Sequence, residues 1–544
     1  MPVMPDIDVL IAGGGPVGLS ASILLSRLGV SSLLVERHPG TSIHPKARGI
    51  NARTMEIYRQ SGVEAAIRAA GLAHERSRFI IWSRSLAGEE LERRVPSRSR
   101  PEAQRITPVL RCLCAQDDLE PVLRAHAESL GAGQLRFGTE LIDFRQDADH
   151  VAATLRDAGG ETTVRARYLI AADGARSRVR EALGIAMQGT PGLYRSINVL
   201  LNADLTRWVA DRPAALYFVE QPGLKATFLT INGVNRWGFL INNLPVNGTL
   251  EEYTAERCAA IIRQAAGDAD LEVEILGVVV WTAAALVAER YRDGRVFLAG
   301  DAAHHMPPTG GFGMNTGVQD VHNLAWKLAA VLHGWAGPGL LASYEDERLP
   351  YGRAITEQAM VNARSLGRGE AVEPAAPAAG TLARPEFLNE LGMIFGASYD
   401  SGAIVPDGTP PPAVANPVTD YHPGGRPGAR APHAWLERDG TRLSTIDLLG
   451  DGFVLLAGAD GAAWREAAVA AAGAASVPLK AFVVGPGADL EDPDKDWTTL
   501  YGVSATGAVL IRPDGHIGWR CRDAALDPRR ELATALARVL ATAT

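Results

Sequence analysis

Lysine is almost missing from this chain. Of 54 basic residues among 544, five are lysines (Lys46, Lys225, Lys327, Lys480 and Lys495) and the other 49 are arginines. No basic block occurs and the formal net charge is -8, which argues against nucleic acid as a partner. Cysteine is equally sparse. Four residues, Cys112, Cys114, Cys258 and Cys521, are too few over this length for a disulfide framework, and Cys-Leu-Cys has the wrong spacing for a zinc pair. They read as buried or incidental thiols in a reducing compartment, so a cytoplasmic location is expected. The most apolar stretch, ILGVVVWTAAALVAE, is bounded by acids and falls short of the roughly 20 residues that a membrane span needs. Near the start, DVLIAGGG lacks the basic front and cleavage site of a signal peptide. G-x-S-x-G is absent, which removes the support for serine-nucleophile hydrolysis. With 47% hydrophobic and 21% charged residues the chain is globular, and its length calls for two or three domains.

Glycine, by contrast, is plentiful and clustered. IDVLIAGGGPVGLSASILLSRLGVSSLLVER spaces Gly13, Gly15 and Gly18 as G-x-G-x-x-G directly after an apolar run, with Pro16 between them. Leu19, Ile23, Leu24 and Leu28 recur at helical spacing, Gly29 sits at a helix C-terminus, and a second apolar run ends in Glu36 and Arg37. Such glycines let a pyrophosphate approach backbone N–H groups at a helix N-terminus, where the dipole favours anions. Glu36, eighteen residues past Gly18, can accept hydrogen bonds from a ribose diol. The unit predicts an ADP-containing dinucleotide and by itself leaves NAD and FAD open.

Two more strand ends carry an acid and a glycine. RARYLIAADGARSRVREALGI predicts a strand ending in Asp173-Gly174 and then a helix with Ser177, Arg178 and Arg180 near its start. RVFLAGDAAHHMPPTGGFGMNTGVQD predicts a strand ending in Gly300-Asp301 and a Pro-Gly loop. A long helix follows, with Val318, Val321, Leu324, Ala325 and Leu328 on one face. In a parallel sheet all three ends meet at one crevice outside the carboxyl ends of the strands. His304 and His305 invite a metal reading. Adjacent histidines seldom chelate one ion, however, and no acid or histidine stands at i+3 or i+4, so no metal is expected.

Taken in order, these segments resemble the flavoprotein aromatic hydroxylases, the p-hydroxybenzoate and phenol hydroxylase group of FAD monooxygenases. After G-x-G-x-x-G comes a DG segment (Asp173, Gly174, Ser177, Arg180), then a GD segment (Gly300, Asp301, His304, Pro307, Gly310, Gly313, Asn315). The likeness runs from residue 1 to about residue 365. It implies FAD as cofactor and NADPH or NADH as co-substrate. It places Asp301 on the ribityl chain and gives the DG segment to both FAD and the passing nicotinamide nucleotide. Arg48 matches a family arginine near the flavin phosphates, and Gln116 matches a glutamine that touches the cofactor. Pro308, Gly311, Gly313, Met314 and Asn315 then lie against the ring. The amides of Met314 and Asn315 face the N1–O2 edge, where reduced flavin carries negative charge. No catalytic base carries over, because position 48 is arginine where phenol hydroxylases have a catalytic acid.

The expected fold class is α/β. A Rossmann-like FAD-binding domain (1–185 and 291–367, with excursions to the substrate domain near 76–110) holds an inserted, mainly antiparallel β substrate domain (186–290). A linker (368–425), opening on the Ala-Pro-Gly stretch RGEAVEPAAPAAGTLARP, leads to a thioredoxin-like α/β domain (426–544). Tyr217, Phe228, Trp237 and Phe239, with His305 and Pro307, are candidate substrate-pocket residues; plain sheet core is the competing reading for each aromatic. The tail resembles the C-terminal domain of the larger family members. It has GADGAAWR where a redox member has C-x-x-C, so a structural or oligomer-contact role is expected rather than disulfide exchange.

The resemblance implies NAD(P)H-dependent hydroxylation of a phenolic or polyketide-type aromatic substrate by O₂, through a C4a-hydroperoxyflavin. The tail and the arginine- and alanine-rich, GC-biased composition are similar to hydroxylases of aromatic polyketide and indolocarbazole antibiotic pathways. Catabolic phenol hydroxylases and antibiotic-inactivating monooxygenases share the tail, and Baeyer–Villiger insertion uses the same flavin peroxide. These stand as alternatives, as does a non-oxygenating flavoprotein. The W-x-W-x-I-P segment of a flavin halogenase is absent. The oligomeric state is left open by the sequence, a homodimer being one assembly compatible with the tail as an oligomer contact.

Overall fold

The computed structural model of the chain describes residues 7–96, 105–244, 251–366 and 389–542. Val9, Leu10 and Ile11 have no exposed surface, so the strand Ile7–Ala12 is apolar on both faces, as the middle of a parallel sheet requires. The sheet runs in the order Arg292–Asp293, Val296–Leu298, Gly160–Ala171, Ile7–Ala12, Ser32–Glu36, Gly133–Phe137. All neighbours are parallel except the two-residue edge strand. A hairpin, Glu140–Gln146 with Val151–Asp157, extends it antiparallel to Gly160–Ala171. The helix after the first strand, Pro16–Arg27, packs against the long buried helix Gly313–Leu332 (the GD helix below).

The inserted sheet has eight strands, in the order His304–His305, Glu274–Ala288, Met187–Asn202, Arg236–Leu244, Leu224–Thr230, Ala214–Gln221, Phe79–Ser83, Glu90–Arg94. Pairing is antiparallel throughout, apart from Ala214–Gln221 with Phe79–Ser83. The histidine pair thus belongs to this sheet: His305 stands opposite Leu286, tying the GD loop to the edge of the substrate domain.

The four strand aromatics take the core reading here. Tyr217, Phe228 and Phe239 form a cross-strand row, and with Trp237 they pack against Cys258, Ile262, Ala265 and Ala266 of the helix Ala255–Ala266. The Phe228 and Phe239 rings meet edge to face at 4.7 Å. The Tyr217 hydroxyl donates to the Arg212 carbonyl (2.8 Å), and Trp237 Nε1 donates to the Ala203 carbonyl (3.1 Å). These four aromatics are the core between sheet and helix, not the lining of a pocket. Period-two alternation sorts residues into two faces but does not say which face the helix covers.

The C-terminal sheet is mixed. Phe453–Ala457 pairs parallel with Leu479–Val483 and antiparallel with Ala508–Ile511, which pairs with Ile517–Cys521; Ala462–Ala475 and Pro528–Val539 are its main helices. Its core is continuous with the FAD-binding domain. Trp326 and Trp335 meet the Phe453 ring edge-on at 5.7 and 6.1 Å, among Leu510, Leu532 and Leu536.

A completely buried ionic network crosses the same boundary. Glu347 accepts from Lys327 Nζ (2.7 Å) and from Arg512 Nη1 and Nη2 (2.6 and 2.8 Å). Glu56 accepts from Arg53 Nη1 (2.9 Å), Thr107 Oγ1 (2.6 Å) and Arg430 Nε (3.0 Å). Burial pushes the Glu347 and Glu56 carboxyls up, but the adjacent guanidinium and ammonium charges outweigh it and hold both below the usual range.

The expected linker needs correction. Its Ala-Pro-Gly start lies outside the described residues, but from 389 the chain is packed structure: Glu390, Ile394, Phe395 and Tyr399 are buried. An apolar cluster of Ile394, Phe395 and Ala52, with an Arg348–Tyr399 hydrogen bond of 3.0 Å, makes this stretch part of the domain interface. Proline-rich composition flagged a loop correctly but not its burial.

Two histidines at this interface give a pH prediction. Burial, reinforced by Arg53, pushes His322 down to about 3, and burial with Arg430 pushes His433 down to about 4. Both are neutral when folded and take up protons on unfolding once the pH is below the ordinary value of 6.5. The unfolded state therefore binds more protons in that window, and stability falls as the pH drops through it. Between pH 7 and pH 5 the loss is expected to be on the order of 3 kcal/mol. Urea unfolding across this range checks it, and His322→Asn should flatten the dependence.

Candidate active site

The three marked strand ends lie side by side. The Ala172 N–H donates to the Ala12 carbonyl (2.8 Å) and the Ala299 N–H to the Ala171 carbonyl (2.9 Å), so Gly13, Asp173 and Gly300 leave adjacent parallel strands at one edge. Gly13 has φ +109°, and a Cβ there would sit 2.2 Å from the Ala172 carbonyl oxygen. A Cβ on Gly18 would sit 1.9 Å from the Gly13 carbonyl oxygen. Bare backbone at both positions brings strand, turn and helix into contact. Gly15 caps the helix Pro16–Arg27 without a side-chain hydrogen bond, and Pro16 opens it where a missing N–H costs nothing.

The acids around the crevice differ in state. Glu36 Oε2 accepts from the Gly14 N–H (2.7 Å) and Oε1 from the His38 N–H (2.9 Å); burial opposes ionisation, but these bonds prevail and its pKa is lowered. Arg37 is exposed beside it. Asp173 Oδ2 accepts from the Val179 N–H (3.3 Å), while Oδ1 is buried with no protein partner, and burial raises its pKa. Gly174, at φ +83°, has open space around it. Ser177 caps the short helix Arg178–Ala182. Arg180 Nη1 bonds the carbonyls of Ala175 (3.4 Å) and Ala302 (3.3 Å), linking the DG and GD segments.

The GD loop behaves as its composition predicts. Asp301, Pro308 and Gly311 are exposed, Pro307 is buried, and His305 and Met314 are half-buried. Burial pushes His305 down, with the Asp301 charge opposing it. Gly310 and Gly311 both take positive φ, +102° and +68°. The GD helix then begins at Gly313 with neither a capping side chain nor an acid in its first turn. Asn315 Oδ1 accepts from the Asn51 N–H (2.9 Å), and Nδ2 donates to the carbonyls of Gly49 (2.8 Å) and Gly311 (2.7 Å). Its side chain braces the loop, which leaves its backbone amide for a ligand.

Two residues expected at the cofactor also hold protein partners. Arg48 donates from Nη1 to the Thr230 carbonyl (2.9 Å) and from Nη2 to the Ala215 carbonyl (2.7 Å), clamping the substrate sheet to the first domain. Gln116 Oε1 accepts from the Ala47 N–H (3.2 Å), and Nε2 donates to Glu120 Oε1 (2.6 Å). Glu120 escaped sequence reasoning. It is buried within reach of Gly15, accepts from the Ser42 N–H (2.6 Å), and burial raises its pKa. The one local signal was an acid four residues after Gln116 on the same helix face.

Residues 6–359 match the family described as "FAD binding domain", and residues 424–543 match "Aromatic-ring hydroxylase, C-terminal". The chain belongs to the FAD-dependent aromatic-ring hydroxylases. A Streptomyces halstedii chain described as a polyketide hydroxylase is 46% identical over 548 residues, covering 98% of this chain and 97% of that one. The crystal structure of the flavin-dependent monooxygenase PieE with FAD and substrate superposes on the hydroxylase with a TM-score of 0.91 at 38% identity, over all of both chains. A ternary complex of aklavinone-11 hydroxylase with FAD and aklavinone gives 0.88 at 39% identity, covering 99% of this chain and 100% of that one.

The residues of the hydroxylase fit FAD. Two helices open uncapped onto the same edge, Asp173 offers a buried oxygen with no protein partner, and Gly13 and Gly18 tolerate no side chain. Donors for a pyrophosphate and for an anionic ring edge, with acceptors for polyol hydroxyls, are therefore all present. His304 Nε2 lies 2.7 Å from Asp320 Oδ2, and no group of three or more histidine, cysteine or acidic residues that could hold a metal ion occurs among the described residues. Among them, too, no helix is long and apolar enough to cross a membrane.

Proposed function

We propose that this hydroxylase adds one oxygen atom of O₂ to an electron-rich ring of a polycyclic, polyketide-type phenol in antibiotic biosynthesis, using NADPH or NADH. The observation that carries this reading is the likeness to the aklavinone-bound hydroxylase along the entire chain, tail included. FAD, when bound, supplies the oxygen-activating chemistry. The chain supplies the rest. The uncapped amides of Gly313, Met314 and Asn315 stabilise negative charge at the end of the GD helix, and Glu36 and Asp301 accept hydrogen bonds from sugar and polyol hydroxyls. The inserted sheet is joined to the crevice by His305 and by the Arg48 clamp, and its role in this reading is to exclude water from the reacting ring.

Protein reconstituted with FAD, NADPH or NADH and isotopically labelled O₂ is offered aklavinone-type polycyclic phenols beside simple phenols. The expected product is a polycyclic phenol heavier by one labelled oxygen, with its ring skeleton intact by NMR. Turnover of simple phenols alone would replace the reading with a catabolic one. A ring-expanded product would indicate Baeyer–Villiger insertion, and oxidation without label a non-oxygenating flavoenzyme.

A further inference from the structure

The GD turn presents the Asp301 carboxylate, exposed at its strand end, and the half-buried His305 ring. Its pivot, Gly300, sits at φ +60°, with Val17 Cγ2 only 2.9 Å from where a Cβ would stand. A glycine in that conformation has several others open to it, so something beyond the turn must select this one. Asp320, inside the GD helix and without exposed surface, does so. Its Oδ2 accepts from the Gly300 N–H (3.1 Å) and lies 2.7 Å from His304 Nε2, which as donor to a carboxylate carries the proton; its Oδ1 accepts from Arg348 Nε (2.8 Å). The residues on Oδ2 flank Asp301 in the chain, one immediately before it and one three residues after.

A buried ion pair made only for stability would need Arg348 alone. Here the second oxygen is committed to the turn. Arg348 is itself held from three sides: Nη1 donates to the Tyr399 hydroxyl (3.0 Å), Nη2 donates to the Thr316 carbonyl (3.2 Å), and the guanidinium lies over the Tyr351 ring at 4.5 Å. Tyr399 in turn stacks on His516 of the C-terminal domain, with ring centroids 4.1 Å apart. A continuous line of contacts thus runs from the tail to the GD turn.

We propose that Asp320 is a positioning residue for the cofactor. It sets the GD turn so that Asp301 and His305 face the FAD crevice, and Arg348, braced by Tyr399, orients it. The proposal rests on FAD occupying the crevice and is indifferent to the identity of the substrate.

The test uses full-length apoprotein titrated with FAD, followed by flavin fluorescence, with thermal unfolding measured in parallel. Asp320→Asn is expected to raise the FAD Kd about ten-fold or more, as loss of a charged acceptor for three buried donors, two of them in the turn, implies. The comparison variant is Asp407→Asn, which removes the carboxylate that binds Arg520 (2.8 Å from Nε, 2.5 Å from Nη2) in the tail. It should lower the unfolding midpoint yet leave the Kd within about two-fold. If Asp320→Asn does not fold, His304→Gln, which keeps the Asp320–Arg348 pair, should raise the Kd about three-fold. An unchanged Kd in the folded variant, or equal weakening by Asp407→Asn, overturns the proposal.

Discussion

Replacing Gly18 with alanine is expected to give a chain that retains no FAD. The added carbon would stand 1.9 Å from the Gly13 carbonyl oxygen, a backbone atom at the turn where the dinucleotide must bind. No rotamer change relieves an overlap with backbone, so the helix Pro16–Arg27 must move away from its strand. That movement also withdraws the amides at its uncapped N-terminus, so affinity is lost together with packing. The purified variant should be colourless and should show no saturable quenching when titrated with FAD. Gly473→Ala is the control, because that glycine lies near the end of the helix Ala462–Ala475 with nothing within 4 Å of an added carbon. It should keep full flavin content and gain up to about 1 kcal/mol from helix propensity. Normal flavin content in Gly18→Ala would refute the close-approach argument.

The second large effect concerns the seam between the domains. Glu56→Ala is expected to lower stability by about 3–5 kcal/mol, because it leaves two buried arginines without their carboxylate. Arg430, 2% exposed, comes from the stretch that precedes the tail sheet, and Arg53, 4% exposed, shares the helix Ala52–Gln60 with Glu56. Arg53 Nη2 also donates to the Asp514 carbonyl (2.7 Å), so the loss is felt across the boundary. Urea unfolding should show a shifted midpoint, and a double variant, Glu56→Ala with Arg430→Ala, should recover part of the loss. A shift under 1 kcal/mol would mean that water or another anion already solvates these guanidiniums.

The parts of this protein written in short stretches were legible in advance. Gly13, Gly18, Gly300, Gly310 and Gly311 mark places where the backbone leaves ordinary geometry or touches other backbone, and such demands register within a few residues. Fully buried parallel strands announce themselves as unbroken apolar runs, so the three strand ends and their acids could be ordered and assigned to one crevice. Tyr217, Phe228, Trp237 and Phe239 were visible as strand aromatics, yet the helix that covers them arrives from residues 255–266, and no strand encodes which of its faces will be claimed. Arg48 and Gln116 stood in motif positions, but their partners on Ala215, Thr230, Ala47 and Glu120 depend on how segments up to 182 residues apart are brought together.

What the sequence determined alone was the FAD crevice: three strand–turn units, each carrying its own glycine or acid, arranged by the right-handed parallel topology that such units obey. Only the tertiary structure decided that residues from 389 onward are interface rather than tether, that the tail shares its core with the GD helix, and that Asp320 bonds the GD turn as well as Arg348. The physical reason is range. Backbone conformation is set by neighbours in the chain, whereas burial of charge is stable only when distant partners arrive together, and nothing local records which partners those will be.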